Sequence, residues 1–162
     1  EARRAEGAGI RVAMLRTGVV LSPAGGMLQQ VLPLFLAGLG GPVATSGGES
    51  HDGSPWLSWI GADDIAGAFA HAVLDDGVTG PVNAVAPVPV TAREFATVLG
   101  RVLRRPALIP VPEAGPRLLL GEEGRVETVA ADQKVVADRL VSSGYEMRDP
   151  ELEGALRHVL GR

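Results

Sequence analysis

Cysteine is absent from the 162 residues. That excludes disulfides, thiol catalysis and metal sites built on thiolates. Lysine is nearly absent too: Lys134 is the single one, and arginine carries the rest of the cationic charge. Aromatic residues make up 4% of the chain, which leaves aliphatic side chains to fill a core. No apolar run reaches the roughly 20 residues of a membrane span, and no basic-then-apolar leader opens the chain. The formal net charge of -4 argues against non-specific nucleic-acid binding, which needs a basic surface. The expectation is a soluble, cytoplasmic protein with no membrane and no nucleic-acid partner.

What is present suffices for a fold. The chain is 46% hydrophobic and 21% charged, so it can bury a core, and its length suits one domain or a large piece of one. Residues 1–6 read as a polar helix stopped by Gly7 and Gly9. The first residue is Glu1, which reads as a start inside a helix of a longer protein or as the product of processing. Residues 10–15 are short and nearly all apolar, as in a strand buried on both faces of a parallel sheet. Gly18 and the residues 22–26 mark an exit loop, and 27–37 read as a helix despite Pro33. Residues 38–55 form a long Gly, Ser and Pro-rich loop of the kind that is functional or mobile.

A second strand is expected over 56–60. Asp63 and Asp64 then open a helix to about Leu74, with Ile65, Phe69, Ala72 and Val73 on one face. Residues 81–86 read as a strand, Thr91 to Glu94 as a capping box, and the helix behind it runs to about Arg104. Residues 108–111 suggest another strand, 116–120 a helical start, and 126–143 a further helix ended by Gly144. Asp149 and Pro150 supply an N-cap and first-turn proline for a last helix with Leu152, Leu156 and Leu160 inward. Alternating strands and helices make the fold class α/β, dividing loosely near residue 90 into parallel strands and a mainly helical part.

Three stretches in order carry a family resemblance. Arg11-Val-Ala-Met-Leu-Arg-Thr-Gly-Val-Val-Leu-Ser-Pro23 is followed by Gly25-Gly26; Trp56-Leu-Ser-Trp-Ile60 by Asp63-Asp64-Ile65-Ala66; Gly80-Pro-Val-Asn83 by Ala86-Pro87, Val90-Thr91 and Glu94-Phe95. They resemble the C-terminal half of an extended short-chain dehydrogenase/reductase of the NAD-dependent epimerase/dehydratase kind. The tail, from Ala131-Asp-Gln133 to Ala155-Leu156, resembles the C-terminal domain of unknown function in the "epimerase family protein" subfamily.

The resemblance implies an incomplete Rossmann-like, NAD(P)-binding fold. Residues 1–90 would be the C-terminal part of that domain, and 91–162 a helical, substrate-side domain. A dinucleotide site needs a Gly-rich turn between strand and helix, and the early glycines Gly7, Gly9 and Gly18 do not form one. The family's catalytic Tyr and Lys stand one helical turn apart. Tyr145 and Lys134, the only residues of their types, cannot be that pair. The resemblance therefore assigns no catalytic residue to this chain. NAD or NADP would bind only together with the missing N-terminal half, which would also carry any homodimer contact. The remaining role is a substrate lid and one wall of a cofactor cleft, and the partner is a small-molecule substrate.

Individual residues carry two readings each. Thr17, Gly18 and Val19 follow the first strand, where the family's cofactor ends; the alternative is an ordinary turn. Arg16 either contacts a ligand or ties neighbouring loops. Ser58 and Trp59 sit where the family's substrate cleft borders the second strand, with a core role as the alternative for Trp59. Asp64 reads as an acid–base group or, better, as a helix cap. His51 and Asp52 are too few for a metal site, so none is expected. His71 reads as a surface or satisfied core histidine, Lys134 as a solvated helix residue, and Tyr145 as an aromatic packed behind a helix end.

The substrate signals are negative. No Lys or Arg stands between Arg16 and Arg93. Nucleotide-sugar enzymes of the family place a diphosphate-holding arginine near the position of Leu57, an asparagine near Val19 or Val20, and in this subfamily a histidine at the position of Gly61. These departures weaken a nucleotide-sugar reading, in which a diphosphate would be held by the absent half or by Arg93 and later arginines folding back. A non-catalytic binding or regulatory protein reusing the fold, and a fragment without function of its own, are the competing readings.

Overall fold

The computed structural model describes residues 2–41, 50, 53–105 and 132–162. A short helix, α1 (Ala2–Gly7), leads into β1 (Ala13–Thr17) and β2 (Val19–Leu21). Helix α2 (Gly26–Leu36), strands β3 (Trp56–Leu57) and β4 (Trp59–Gly61) and helix α3 (Ala62–Leu74) follow. Then come β5 (Gly80–Ala84), β6 (Val90–Thr91), α4 (Ala92–Leu103), α5 (Asp138–Ser142) and α6 (Leu152–Leu160). The strand expected over 108–111, the helical start at 116–120, and His51 and Asp52 lie outside the described residues.

Strand β1 pairs in parallel with β5, from Ala13 beside Gly80 to Thr17 beside Ala84. Strand β2 pairs in parallel with β4, from Val19 beside Trp59 to Leu21 beside Gly61. Strands β3 and β6 form a short antiparallel pair. Among the described residues β1 has a strand on one edge only.

Two apolar clusters hold the layers together. One joins Leu21, Leu28 and Phe35 to Trp59, Phe95, Leu99, Leu152 and Leu156. The other joins Ile60, Ala68, Ala72, Val82 and Ala84 to Leu140. Both draw on residues from either side of position 90. Leu152 and Leu156 are buried, and Leu160 packs against the first cluster.

Local signals place several helices. Thr91 Oγ1 accepts from the Glu94 amide at 3.1 Å, and the Glu94 carboxylate accepts from the Thr91 amide at 2.7 Å, so both halves of the capping box form. Helix α2 passes through Pro33, as expected. The last helix differs: its N-cap is Glu151, and no side chain caps it, so Asp149 and Pro150 lie before the helix.

Helix α3 packs by a different face from the one its larger residues suggest. Ala68 and Ala72 are buried, while Phe69 is 51% and Val73 70% exposed. Small side chains let the helix sit close to the sheet, and Gly67 leaves room for the Tyr145 ring. Arg11 closes the far end of α3: its guanidinium donates to the carbonyls of Ala72 (2.8 Å), Val73 (2.8 Å) and Val78 (3.0 Å). A cation on orphan helix carbonyls satisfies them and complements the helix dipole.

Replacing Thr91 by Ala removes a buried cap, so Thr91→Ala is expected to cost about 1 kcal/mol. Urea denaturation of the variant against the parent chain measures it, and an unchanged midpoint would show that the box contributes nothing.

Candidate functional site

The segment from Ala13 to Leu21 is one extended run that changes partners at Gly18. The Gly18 amide donates to the Ala84 carbonyl at 3.2 Å, at the end of β5. The next amide, Val19, donates to the Ser58 carbonyl at 2.8 Å, between β3 and β4. A Cβ on Gly18 would stand 2.6 Å from the Ser58 carbonyl oxygen and 2.9 Å from Val85 Cγ1. Only glycine allows the approach.

A cleft of about 380 Å³ opens at this switch, at the carboxyl ends of β1 and β5. Arg16, Thr17, Gly18 and Val19 form one side, Leu57 and Ser58 another, and Val20, Met27 and Val85 the apolar interior. Ligands of open α/β sheets bind at such a place.

Gln133 and Val135 close the cleft. They belong to residues 132–137, which are extended, whereas the sequence suggests one helix over 126–143; of the described part, only Asp138–Ser142 is helical. The reason is a set of distant partners. The Asp132 carboxylate accepts from the Trp56 amide at 2.7 Å. Ser58 Oγ donates to the Gln133 carbonyl at 2.7 Å and accepts from the Val135 amide at 3.0 Å. Asn83 Nδ2 donates to the Val136 carbonyl at 3.2 Å. These bonds satisfy backbone groups that a helix would otherwise satisfy. The Lys134 ammonium stands 4.4 Å from the Trp56 ring centroid, so it lies on this extended strap and not on a helix.

The structure thus brings Thr17, Gly18, Val19 and Ser58 to one cleft. Trp59 does not line it: the residue is 1% exposed, and its indole N–H donates to the Val88 carbonyl at 3.2 Å. Its place is the core, because a buried indole with its donor satisfied has nothing left to offer a ligand. Arg16 lines the cleft and ties no loop, having no hydrogen-bond or ion-pair partner among the described residues. Gln133 and Val135 are not visible as site residues in the sequence, since they reach the cleft across more than 70 residues of chain.

Asp64 does not cap α3 with its side chain; Gly61 is the N-cap. The Asp64 carboxylate, 2% exposed, accepts from the amides of Arg148 (2.7 Å) and Asp149 (3.2 Å) and from the Tyr145 hydroxyl (3.3 Å). The hydroxyl also reaches the Asp64 carbonyl at 2.9 Å. Burial first, then the Asp64 charge and its hydrogen bond, push the Tyr145 phenol up from 10.0 to about 12. His71 bonds Ser143 at 2.9 Å beside the Tyr145 ring. These groups lie outside the cleft lining. Among the described residues no three His, Asp or Glu side chains gather as a metal site, and no helix is long and apolar enough to cross a membrane.

With this geometry in view, comparisons with known proteins are specific. A family described as a domain of unknown function (DUF1731) matches residues 111–159. The epimerase family protein SDR39U1 of Bos taurus is 41% identical over 160 residues, 98% of this chain and 52% of that protein. The epimerase family protein Mb2239 of Mycobacterium bovis is 36% identical over 160 residues, 99% of this chain and 50% of that protein. The crystal structure of human epimerase family protein SDR39U1, isoform 2, with NADPH, is similar at a TM-score of 0.79 and 35% identity, over 94% of this chain and 49% of that one. The UDP-glucose 4-epimerase of Thermus thermophilus in complex with NAD shares the fold alone, at a TM-score of 0.64 and 19% identity over 98% of this chain and 50% of that one.

Parallel strands flanked by helices, with a cleft at their carboxyl ends, make this an α/β chain of the Rossmann-like, NAD(P)-binding epimerase fold. It is a homologue of the epimerase family proteins. It spans about half the length of the curated relatives it matches.

Two outcomes follow from the geometry. Gly18→Ala forces a methyl group onto a backbone carbonyl, and overpacking of this kind costs about 1–3 kcal/mol, read as a lowered Tm. A Tm equal to that of the parent would mean that the strand switch tolerates a side chain. Tyr145 is the chain's one tyrosine, so absorbance near 295 nm titrates it alone. The folded chain should show a midpoint near 12. Because the folded pKa lies above the unfolded one, the phenol's contribution is complete below pH 10 and is lost as the pH climbs through about 12. Tyr145→Phe should flatten that alkaline loss, and a phenol titrating near 10 in the folded chain would contradict the Asp64 contact.

Proposed function

We propose that this chain supplies one wall of the NAD(P) cleft and the substrate lid of an NAD(P)-dependent, epimerase-like oxidoreductase. The observation that carries the reading is the meeting of Thr17, Gly18, Val19 and Ser58 at the carboxyl ends of β1 and β5. Its support is the likeness to the human relative crystallised with NADPH.

The wall suits the nicotinamide end of the cofactor. Val19, Val20, Leu57 and Val135 offer apolar contact for a ring, and Thr17 offers a hydroxyl at the strand end. The chain has no Gly-rich turn for the pyrophosphate, so it would hold one end of the dinucleotide only. When bound, the cofactor supplies hydride transfer. This chain's residues would position the ring, exclude water and frame the substrate through the strap at 132–137. No Tyr, His, Asp or Glu stands among the described residues that line the cleft, so acid–base chemistry would fall to residues outside this lining. The same reading gives a small-molecule substrate, a cytoplasmic location, no nucleic-acid or membrane partner, and a homodimer, where one forms, through the other half.

The lack of any Lys or Arg between Arg16 and Arg93 for holding phosphate favours a second reading, a non-catalytic binding protein on the same fold. A chimera in which this chain replaces the matching half of the human relative separates the two. Fluorescence titration should show NADPH or NADH binding to the folded chimera and none to this chain alone. A folded chimera that binds neither removes the oxidoreductase reading and leaves the binding protein.

A further inference from the structure

Among the described residues that line the cleft one side chain is charged. It is Arg16, and no Asp, Glu, Lys or His stands among them. Two arginines toward the amino ends of β1 and β5 are committed: Arg11 to the carbonyls of Ala72, Val73 and Val78, and Arg139 to those of Thr79 and Pro81. Arg16 alone of these three has no hydrogen-bond or ion-pair partner among the described residues. Among the described residues that line the cleft no other cation stands, and no Lys or Arg occurs between Arg16 and Arg93. Lys134, on the strap, is spent on the Trp56 ring. Behind Arg16 the walls are apolar: Val19, Val20, Met27, Leu57 and Val135.

We infer that the cleft takes a small molecule with one carboxylate on an apolar body, and that Arg16 is the residue that selects for the carboxylate. The inference rests on the proposed reading of this cleft as the wall at the nicotinamide end of the cofactor, with the strap at 132–137 framing the substrate beside it. A guanidinium fork matches two carboxylate oxygens, and its single positive charge balances their single negative one. A nucleotide diphosphate carries more negative charge than one arginine neutralises, and in a cleft with apolar walls the excess is costly. A phosphate monoester is overcharged for the same reason. The volume of about 380 Å³ fits a small ligand, near the lower end of the roughly 300–1,000 Å³ usual for ligand clefts.

The test uses hexanoate, hexan-1-ol, inorganic phosphate and UDP-glucose as probes on the 162-residue chain, followed by amide shifts in NMR. Hexanoate should shift the Thr17, Gly18 and Ser58 amides saturably, and Arg16→Gln should weaken it by about tenfold, as loss of a charged hydrogen-bonding partner does. Arg16→Lys should restore part of the affinity. Hexan-1-ol should bind more weakly than hexanoate and ignore Arg16→Gln. Arg16 is exposed, so both variants should keep the parent's melting curve, which circular dichroism checks. No saturable hexanoate shift, an unchanged affinity in Arg16→Gln, displacement of hexanoate by equimolar phosphate, or tighter binding of UDP-glucose would each overturn the inference. Cofactor binding by the chimera is read separately, so its failure strikes the oxidoreductase reading and not the carboxylate preference of the cleft.

Discussion

The approach of Gly18 to the Ser58 carbonyl is the point on which the rest of the structure turns. Two parallel strand pairs share a single extended run, and that run can leave β5 for β4 only where the backbone carries no side chain. The switch opens the cleft, because strands that part company leave their carboxyl ends uncovered. It also decides how Ser58 is used. Its carbonyl is taken by Val19, and its hydroxyl is left to hold the strap that closes the other side. One residue thereby serves both walls of the cleft.

A second junction lies away from the cleft. Asp64 is buried at the start of α3, and it accepts from the two amides that precede α6. Buried carboxylates are tolerated where several donors replace the lost water. Tyr145 adds its hydroxyl, and at the rim Asp63 meets His158 at 2.9 Å and Arg148 at 3.3 Å. The end of the chain is thus fastened to the helix that follows β4, and the strap, which runs directly into α5, lies between this fastening and the cleft.

Elements with local signals are legible in the sequence. The Thr91 capping box, the helix through Pro33 and the leucine face of α6 each depend on neighbours within a few residues. Strand β2 is hidden because three residues after a glycine read as a loop; only the pairing with β4 makes them a strand. The apolar face of α3 that carries Phe69 and Val73 does not tell which side is buried, since size and hydropathy do not show that a helix packs through alanines. The strap is misread because its partners, Trp56, Ser58 and Asn83, lie more than 50 residues away. The same distance hides Gln133 and Val135 from the cleft. Thr17, Gly18 and Val19 are legible as a strand end, and Ser58 as its neighbour, whereas Trp59 next to it points to the core. Asp64 reads as a cap because acidic residues at helix starts usually act locally, and its actual partners are 84 and 85 residues away.

The scarcity of lysine, first met as a matter of composition, has a practical side. Lys134 is exposed, and it sits over Trp56 on the strap beside the cleft. Apart from the N-terminal amine, it is the one primary amine in the chain. Once the more acidic N-terminal amine is capped, an amine-selective dye lands on the strap without any mutation. Its tryptophan-quenched emission would then follow the detachment of that wall as it happens, making the natural sequence its own site-specific optical probe.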